Sequence, residues 1–297
     1  MPQSVLPKTE TLHDSAKGLD IRSGADIAAT ILSGQQAALK SVETSLPDLV
    51  RGADLMVDTV RRGGRLIYAA AGSSGLMALA DAAELTGTYG LSPDLILFFM
   101  AGGVPVDGRM PGHTEDQADA AERDAAAVRP GDVVIAVTAS GSTPYPTAFA
   151  KKARTLGAST ICVANNGDAD IFVHADVAVA LETPPEIIAG STRLGAATAQ
   201  KAALNTMSTL MGVRLGHVYD GMMVNLVADN RKLRARAAGM VSRIAHVDKE
   251  TATRSLEQSK WAVKPAVLLA AGASSLDRAE TLLAETQGQL RKALQRI

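Results

Sequence analysis

The sequence of 297 residues contains a single cysteine, Cys162, so no disulfide framework can form within the chain. Aromatic residues make up only 3% of it, too few for the stacking platforms that hold single-stranded nucleic acid. Neither sign of charge dominates. Thirty Lys and Arg stand against 31 Asp and Glu, interleaved along the chain, which leaves no basic stripe for nucleic acid or an anionic membrane. Long apolar runs are missing as well; the longest are strand-sized and broken by Gly or Ser. Met1–Asp20 is polar and has no apolar segment of the kind that opens a secreted chain, which with the lone cysteine gives the expectation of a cytoplasmic protein. The five histidines show no HxxxH or carboxylate-linked spacing, so no metal site is expected.

What is present is an alternation of short apolar runs with helix-length segments. Asp26–Thr44 places Ile27, Ile31, Ala38 and Val42 at helical spacing, and Pro47 opens a second helix reaching Arg62. These form an expected N-terminal helical arm, residues 1–62. Gly63-Gly64 ends the helix and releases Leu66–Ala71, an almost wholly apolar run typical of a parallel strand covered on both faces. Further strands are expected at Leu95–Met100, Val133–Thr138, Thr160–Ala164 and Val177–Leu181, each separated by a helix-length segment. Five strands alternating with helices make an α/β domain with a doubly wound parallel sheet, over residues 63–245. Thr192–Leu215 and Met223–Arg243 read as two long helices, and residues 246–297 as a small module of short helices divided by Pro265, Gly272 and Gly288.

Two segments share one design, in which an apolar strand runs into a Gly/Ser/Thr cluster that opens a helix. They are Gly72-Ser73-Ser74-Gly75 and Ser140-Gly141-Ser142-Thr143. A helix start offers unpaired N–H groups and partial positive charge, glycine lets the backbone approach, and hydroxyls donate to phosphate oxygens. In an open α/β sheet both clusters fall at the carboxyl ends of strands, where ligands bind. Serine and threonine at such places also serve as ordinary helix caps. Two clusters in one sheet, matching neither the GxGxxG nor the GxxxxGK[ST] pattern, point to a phosphorylated sugar rather than a nucleotide. No organic cofactor is expected.

These clusters, together with Ala101-Gly102-Gly103, Pro144-Tyr145, Gly190-Ser191-Thr192-Arg193 and Ala199-Gln200-Lys201, resemble the successive motifs of the N-acetylmuramic acid 6-phosphate etherases. The resemblance runs from about Asp20 to the C-terminus. It implies the SIS (sugar isomerase) fold, a homodimer, and a lyase that releases D-lactate and N-acetylglucosamine 6-phosphate from the lactyl ether of the sugar. It implies Glu84 as general acid to the ether oxygen and Glu115 as the base that takes the C2 proton. The residues themselves fit in part. Glu84 follows apolar and small neighbours whose cover would keep it protonated, and Glu115 after Thr114 reads as the first turn of a helix, whose dipole favours a carboxylate. The bland readings are a solvated helix end for Glu84 and, for Glu115 with Thr114 and Gln117, a capping box.

The chain departs from the family at Leu76 and Ser142, where the etherases carry Arg, so two cations expected near phosphate are missing. Arg193 and Lys201 are the remaining cations close to family motifs, and Glu186, after Pro184-Pro185, is a further polar candidate for the substrate site. Tyr145 is expected to pack behind the second cluster, and Trp261 to anchor the C-terminal module. An aldose–ketose isomerase and a non-catalytic sugar-phosphate sensor are the other functions this fold carries.

Overall fold

The computed structural model describes residues 8–297; residues 1–7, part of the expected arm, lie outside the described residues. The chain divides into two compact units. One runs to Ala82 and resumes over Asp94–Ser208; the other comprises Ala83–Pro93 and Thr209–Ile297.

The first unit opens with α1 (Gly24–Thr44), whose start is capped by Ser23 accepting the Asp26 N–H, and α2 (Leu46–Arg61), with Pro47 in its first turn. The strands are β1 (Leu66–Ala70), β2 (Ile96–Met100), β3 (Val133–Thr138), β4 (Ser159–Ala164) and β5 (Val177–Ala180). They form the expected parallel sheet in the order β2-β1-β3-β4-β5. The aliphatic runs of β1 and β3 are buried along their whole length, because helices cover both faces. Between the strands run α3 (Gly72–Tyr89), α4 (Ala118–Asp124) and α5 (Pro144–Thr155), and α6 (Gly195–Arg214) follows β5. The expected helix between β4 and β5 is only a 3-10 turn, Asp170–His174. The link, residues 165–176, has only twelve positions, the lower limit for a crossover between parallel strands, which leaves no room for a full helix with a turn at each end.

The order places β1 beside β3 although β2 lies between them in sequence, so the progression of strands reverses there. Ala70 stands opposite Val137, which sets the carboxyl ends of the two strands side by side. At their other ends, Arg65 donates to Asp132 at 2.5 Å, and Asp132 also receives the backbone N–H groups of Arg65 and Arg129. Burial by itself raises the Asp132 pKa, but the Arg65 side chain and these N–H groups outweigh it and hold the carboxyl below its ordinary value.

The second unit is helical except for a hairpin of β6 (Val218–Tyr219) and β7 (Met222–Met223). The expected helix from Met223 does not form there. Asp220 and Gly221 both have positive φ, the geometry of a two-residue hairpin turn, and Asn230 then caps α7 (Arg231–Ala245) by accepting the Leu233 N–H. Four short helices follow: α8 (Lys249–Gln258), α9 (Val263–Ala270), α10 (Leu276–Glu285) and α11 (Leu290–Leu294). Gly272 and Gly288 do end helices, whereas Pro265 sits inside the first turn of α9, where its missing N–H costs nothing. Trp261 packs into this unit with the Arg234 guanidinium 4.8 Å above its ring. The Lys264 ammonium donates to the Gly216 and Gly288 carbonyls, and burial lowers its pKa to about 8.

Replacing Asp132 by Ala strands the half-buried Arg65 charge and is expected to cost about 3–5 kcal/mol, read from urea unfolding. The lowered carboxyl contributes stability that is present above the ordinary carboxylate pKa of about 4 and is lost as pH falls through the folded value. Asp132→Asn should therefore flatten the acid side of the stability–pH profile, and an unchanged acid slope would contradict the role given to this pair.

Candidate active site

Ala71 links β1 directly to α3, so Gly72-Ser73-Ser74-Gly75 is the first turn of a helix rather than a loop before one. Gly75 donates back to Ala71 and lies against Met100, where a Cβ would fall 2.8 Å from the sulfur; it has a packing role. Gly72, Ser73 and Ser74 face a cavity.

Thr138 ends β3, and the turn to α5 folds its hydroxyls together. The Thr138 and Thr143 Oγ1 atoms are 2.8 Å apart, Ser140 Oγ is 3.2 Å from Thr143, and the Gly141 N–H donates to Thr138. Gly141 has φ +86°, and a Cβ there would lie 2.2 Å from that of Ala169, so only glycine makes this turn. Thr143 precedes α5 but its hydroxyl caps no N–H of the helix. It is committed to the hydroxyl cluster, and the ordinary-cap reading does not hold for it. Behind the cluster Tyr145 is buried as expected, its hydroxyl donating to Asp124 at 2.5 Å.

Ser73, Ser74, Thr138, Ser140 and Thr143 thus line one cavity of about 370 Å³, together with Met110, Pro111, Gly190 and Thr192. Its volume falls within the range of small-molecule sites. Two carboxylates reach it, Glu115 and Glu10, and none of the lining residues is Lys, Arg or His. Its hydroxyls and the N–H groups of two helix starts are groups that can bind a phosphate.

Glu115 lies in a turn ahead of α4, whose cap is Gln117, and not in the helix itself. The capping box is absent, since the Thr114 hydroxyl donates to Pro111 O instead. The competing interaction is the Tyr145 N–H, which holds the Glu115 carbonyl at 2.9 Å and so ties this turn to the start of α5. The Glu115 carboxylate passes close to Gly72: a Cβ added there would meet Oε2 at 3.4 Å.

The other expected residues are placed elsewhere. Glu84 is exposed on α3 in the second unit and does not line the cavity, so the expected apolar cover around it is not present. One turn earlier, buried Asp81 accepts from Tyr68 (2.7 Å), Asn205 (2.6 Å) and Ser208 (2.8 Å), and Lys201 donates to the same Asn205. Glu186 is buried, and its two oxygens accept the N–H groups of Gly195 (2.9 Å) and Ala196 (2.8 Å) at the start of α6. That is a structural cap on a buried helix start. Arg193 is exposed next to the lining residue Thr192, and Ser142 is exposed while its N–H donates to Ser140 Oγ. Among the described residues no group of three or more His, Cys, Asp and Glu is arranged to hold a metal ion, and no helix is long and apolar enough to cross a membrane.

Sequence reasoning missed Glu10, Thr138 and Thr192 as lining residues. Thr138 was detectable, as the polar end of an apolar strand next to a glycine turn, and Thr192 stands in a quoted motif. Glu10 lies in a polar stretch with no pattern to mark it.

Residues 33–165 match the SIS domain family. The chain is 45% identical over 235 residues to an N-acetylmuramic acid 6-phosphate etherase of Symbiobacterium thermophilum, covering 79% of this chain and 78% of that one. With the N-acetylmuramic acid 6-phosphate etherase of Bacillus subtilis it shares 37% identity over 257 residues, 86% of this chain and 84% of the other. A solved structure from Bacteroides fragilis, described as a candidate phosphosugar isomerase involved in capsule formation, covers 66% of this chain and 94% of its own, with TM-score 0.50 and 18% identity. At that identity the likeness is one of fold.

Glu186→Ala removes acceptors from two buried N–H groups and is expected to cost about 2–4 kcal/mol in thermal or urea unfolding. The folded fraction should bind a phosphorylated amino sugar as the unmutated protein does. A variant of unchanged stability with weakened sugar binding would return Glu186 to the substrate site.

Proposed function

The chain belongs to the N-acetylmuramic acid 6-phosphate etherase family, and from that premise we propose that it is a carbon–oxygen lyase that cleaves the D-lactyl ether of N-acetylmuramic acid 6-phosphate. The products are D-lactate and N-acetylglucosamine 6-phosphate. The observation that carries the reading is the cavity at the reversal of the sheet, where two hydroxyl-bearing helix starts converge beside the Glu115 carboxylate.

The 6-phosphate takes the hydroxyls of Ser73, Ser74, Ser140 and Thr143 with the N–H groups at the starts of α3 and α5. Glu115 is the base. It removes the proton at C2 of the sugar, the C3–O bond breaks, and the departing lactyl oxygen takes a proton from an acid. Water then adds across the C2–C3 double bond, returning a proton to C2 and placing its oxygen at C3. We assign the acid to Glu84, on the strength of the family resemblance. Arg193 and Lys201 remain proposals as outer cations, since neither lines the cavity.

We also propose that the protein is a homodimer. Leu32 and Leu39, seven residues apart on α1, and Leu46 and Val50 on α2 are exposed, by 57, 45, 48 and 38%. An apolar stripe of this length on paired helices fits a second copy of the same stripe. A cytoplasmic location belongs to the same reading, and the lone thiol, Cys162, is buried in β4.

Incubation with N-acetylmuramic acid 6-phosphate in oxygen-18 water should release unlabelled D-lactate and place the label at the sugar C3 hydroxyl. Label in the lactate would mean direct attack at the lactyl carbon, and a ketose product would mean an isomerase. Glu115→Gln should lower turnover by about 10²–10⁴-fold, as for loss of a general base. Near-normal turnover would remove Glu115 from the mechanism. Ser73→Ala or Ser140→Ala should weaken binding of the phosphorylated sugar by about 1–3 kcal/mol and leave the unphosphorylated sugar little affected. Light scattering should report a dimer that the double variant Leu32→Asp/Leu39→Asp splits; a monomeric unmutated protein at micromolar concentration would count against the interface.

A further inference from the structure

We propose that Glu10, carried into the cavity by the short 3-10 turn Lys8–Glu10, is a substrate-binding carboxylate that accepts hydrogen bonds from the hydroxyl and amide N–H groups of the sugar ring. This rests on the reading of the cavity as a phosphosugar site. Glu10 lines the same space as Ser73, Ser140 and Glu115, although more than sixty residues separate it from the nearest of them in sequence.

The turn is held in place by the active-site segments themselves. The Gly190 N–H donates to Thr9 O at 3.0 Å, and the Lys8 N–H donates to Asn166 Oδ1 at 3.0 Å. The amide nitrogen of the same Asn166 donates to Ala139 O (3.1 Å) and Ser140 O (3.0 Å). One side chain therefore joins the N-terminal turn to the hydroxyl turn after β3. Thr9, between the two anchored groups, is 1% exposed, so the backbone that bears Glu10 is packed down and not a free end. Its carboxylate passes over Gly190, which has φ +74° and where a Cβ would come within 3.2 Å of Oε2. A side chain at 190 would crowd the carboxylate out of this position. Among the described residues, Glu10 forms no ion pair and its carboxylate accepts no hydrogen bond, so both oxygens are open to a ligand.

The chemistry of the cavity divides the ligand between its walls. A carboxylate is an acceptor only, and it repels a phosphate dianion while binding O–H and N–H groups strongly. The phosphate belongs to the two helix starts, and the carboxylates face the part of the ligand that carries donors. A pyranose ring with an acetamido group is dense in donors of this kind. With Glu115 placed against Gly72 and assigned to the C2 proton, Glu10 on the Gly190 side grips the ring from another direction and selects for its hydroxyl pattern.

The test compares Glu10→Gln and Glu10→Ala with the unmutated full chain. Turnover of N-acetylmuramic acid 6-phosphate is followed by lactate release, and binding of N-acetylglucosamine 6-phosphate and of inorganic phosphate by calorimetry. Thermal unfolding serves as the check on folding. The expected result is a 10- to 100-fold rise in KM and in the sugar-phosphate Kd, larger for Ala than for Gln, with kcat changed less than about threefold. Inorganic phosphate should bind both variants as well as, or better than, the unmutated protein, because a negative charge has been removed. Unchanged sugar-phosphate affinity would overturn the proposal and leave Glu10 a solvated side chain. A fall in kcat with unchanged KM would also overturn it, since Glu10 would then be transferring a proton. The etherase reading fails separately, if the unmutated protein binds the sugar phosphate but releases no lactate; the comparison of affinities still decides Glu10. If the unmutated protein binds no sugar phosphate, both fall.

Discussion

The pairing of β1 with β3 is the contact on which the site depends. In a parallel pair the hydrogen-bond ladder fixes register residue by residue, and a slip of one position would shift the strand end by about 3.3 Å and turn its side chains to the opposite face. Here Leu66 stands opposite Val133 and Ala70 opposite Val137, so Ser73 and Ser140 emerge from neighbouring strand ends. The Arg65–Asp132 pair closes the same two strands at their other ends. Side chains that must act together are therefore held apart at a set spacing by main-chain bonds in the middle of the sheet. The turns around the cavity are tied into that frame: Asn165 donates its N–H to Ala139 O, Ile171 to Gly141 O, and Tyr145 to Glu115 O.

Electrostatically the cavity is unusual for one proposed to take an anion. Its walls carry two carboxylates and no side-chain cation. The positive potential has to come from peptide dipoles at the starts of α3 and α5, which fall off within a turn and act at short range. A site of this kind discriminates by geometry more than by charge. Ser142 adds no charge here, and its N–H donates to Ser140 Oγ, which fits a wall built from hydroxyls and N–H groups. Affinity then depends on how well each hydroxyl is aimed, and the bonds among Thr138, Ser140 and Thr143 aim them in advance.

The sheet was legible because each strand is a short, largely apolar run with no polar face, and the similar run at Ala266–Ala270 is marked as helix by Pro265 just before it. The strands expected from such runs match the observed ones to within a residue at either end. Helix boundaries were less legible where tertiary bonds compete with local cues. The Thr114–Gln117 capping pattern is genuine, yet the Tyr145 N–H takes the Glu115 carbonyl and the helix begins at Ala118 instead. The hairpin after Gly216 was signalled by Asp220-Gly221 between apolar pairs but fell between two expected helices, and its last residue, Met223, was taken as the start of the second, because Met and Val fit either period over so short a stretch. Of the site, the two hydroxyl clusters followed from strand–glycine–helix syntax alone. Glu10 did not, because its place comes from Asn166 and Gly190, more than 150 residues away, and no local pattern encodes a contact at that distance.

The single cysteine has a practical consequence. Cys162 lies in the middle of β4 with no exposed surface, and burial pushes its thiol up to about 12. At neutral pH it is neither a thiolate nor reachable, so it is silent toward alkylating and maleimide reagents. The folded protein is in effect a thiol-free background for spectroscopy. A cysteine introduced at Val106, which is 96% exposed in the segment between β2 and the Glu115 turn, would be the one site to accept a fluorophore or spin label. Addition of sugar phosphate could then be read from a label on that segment without first removing the native residue.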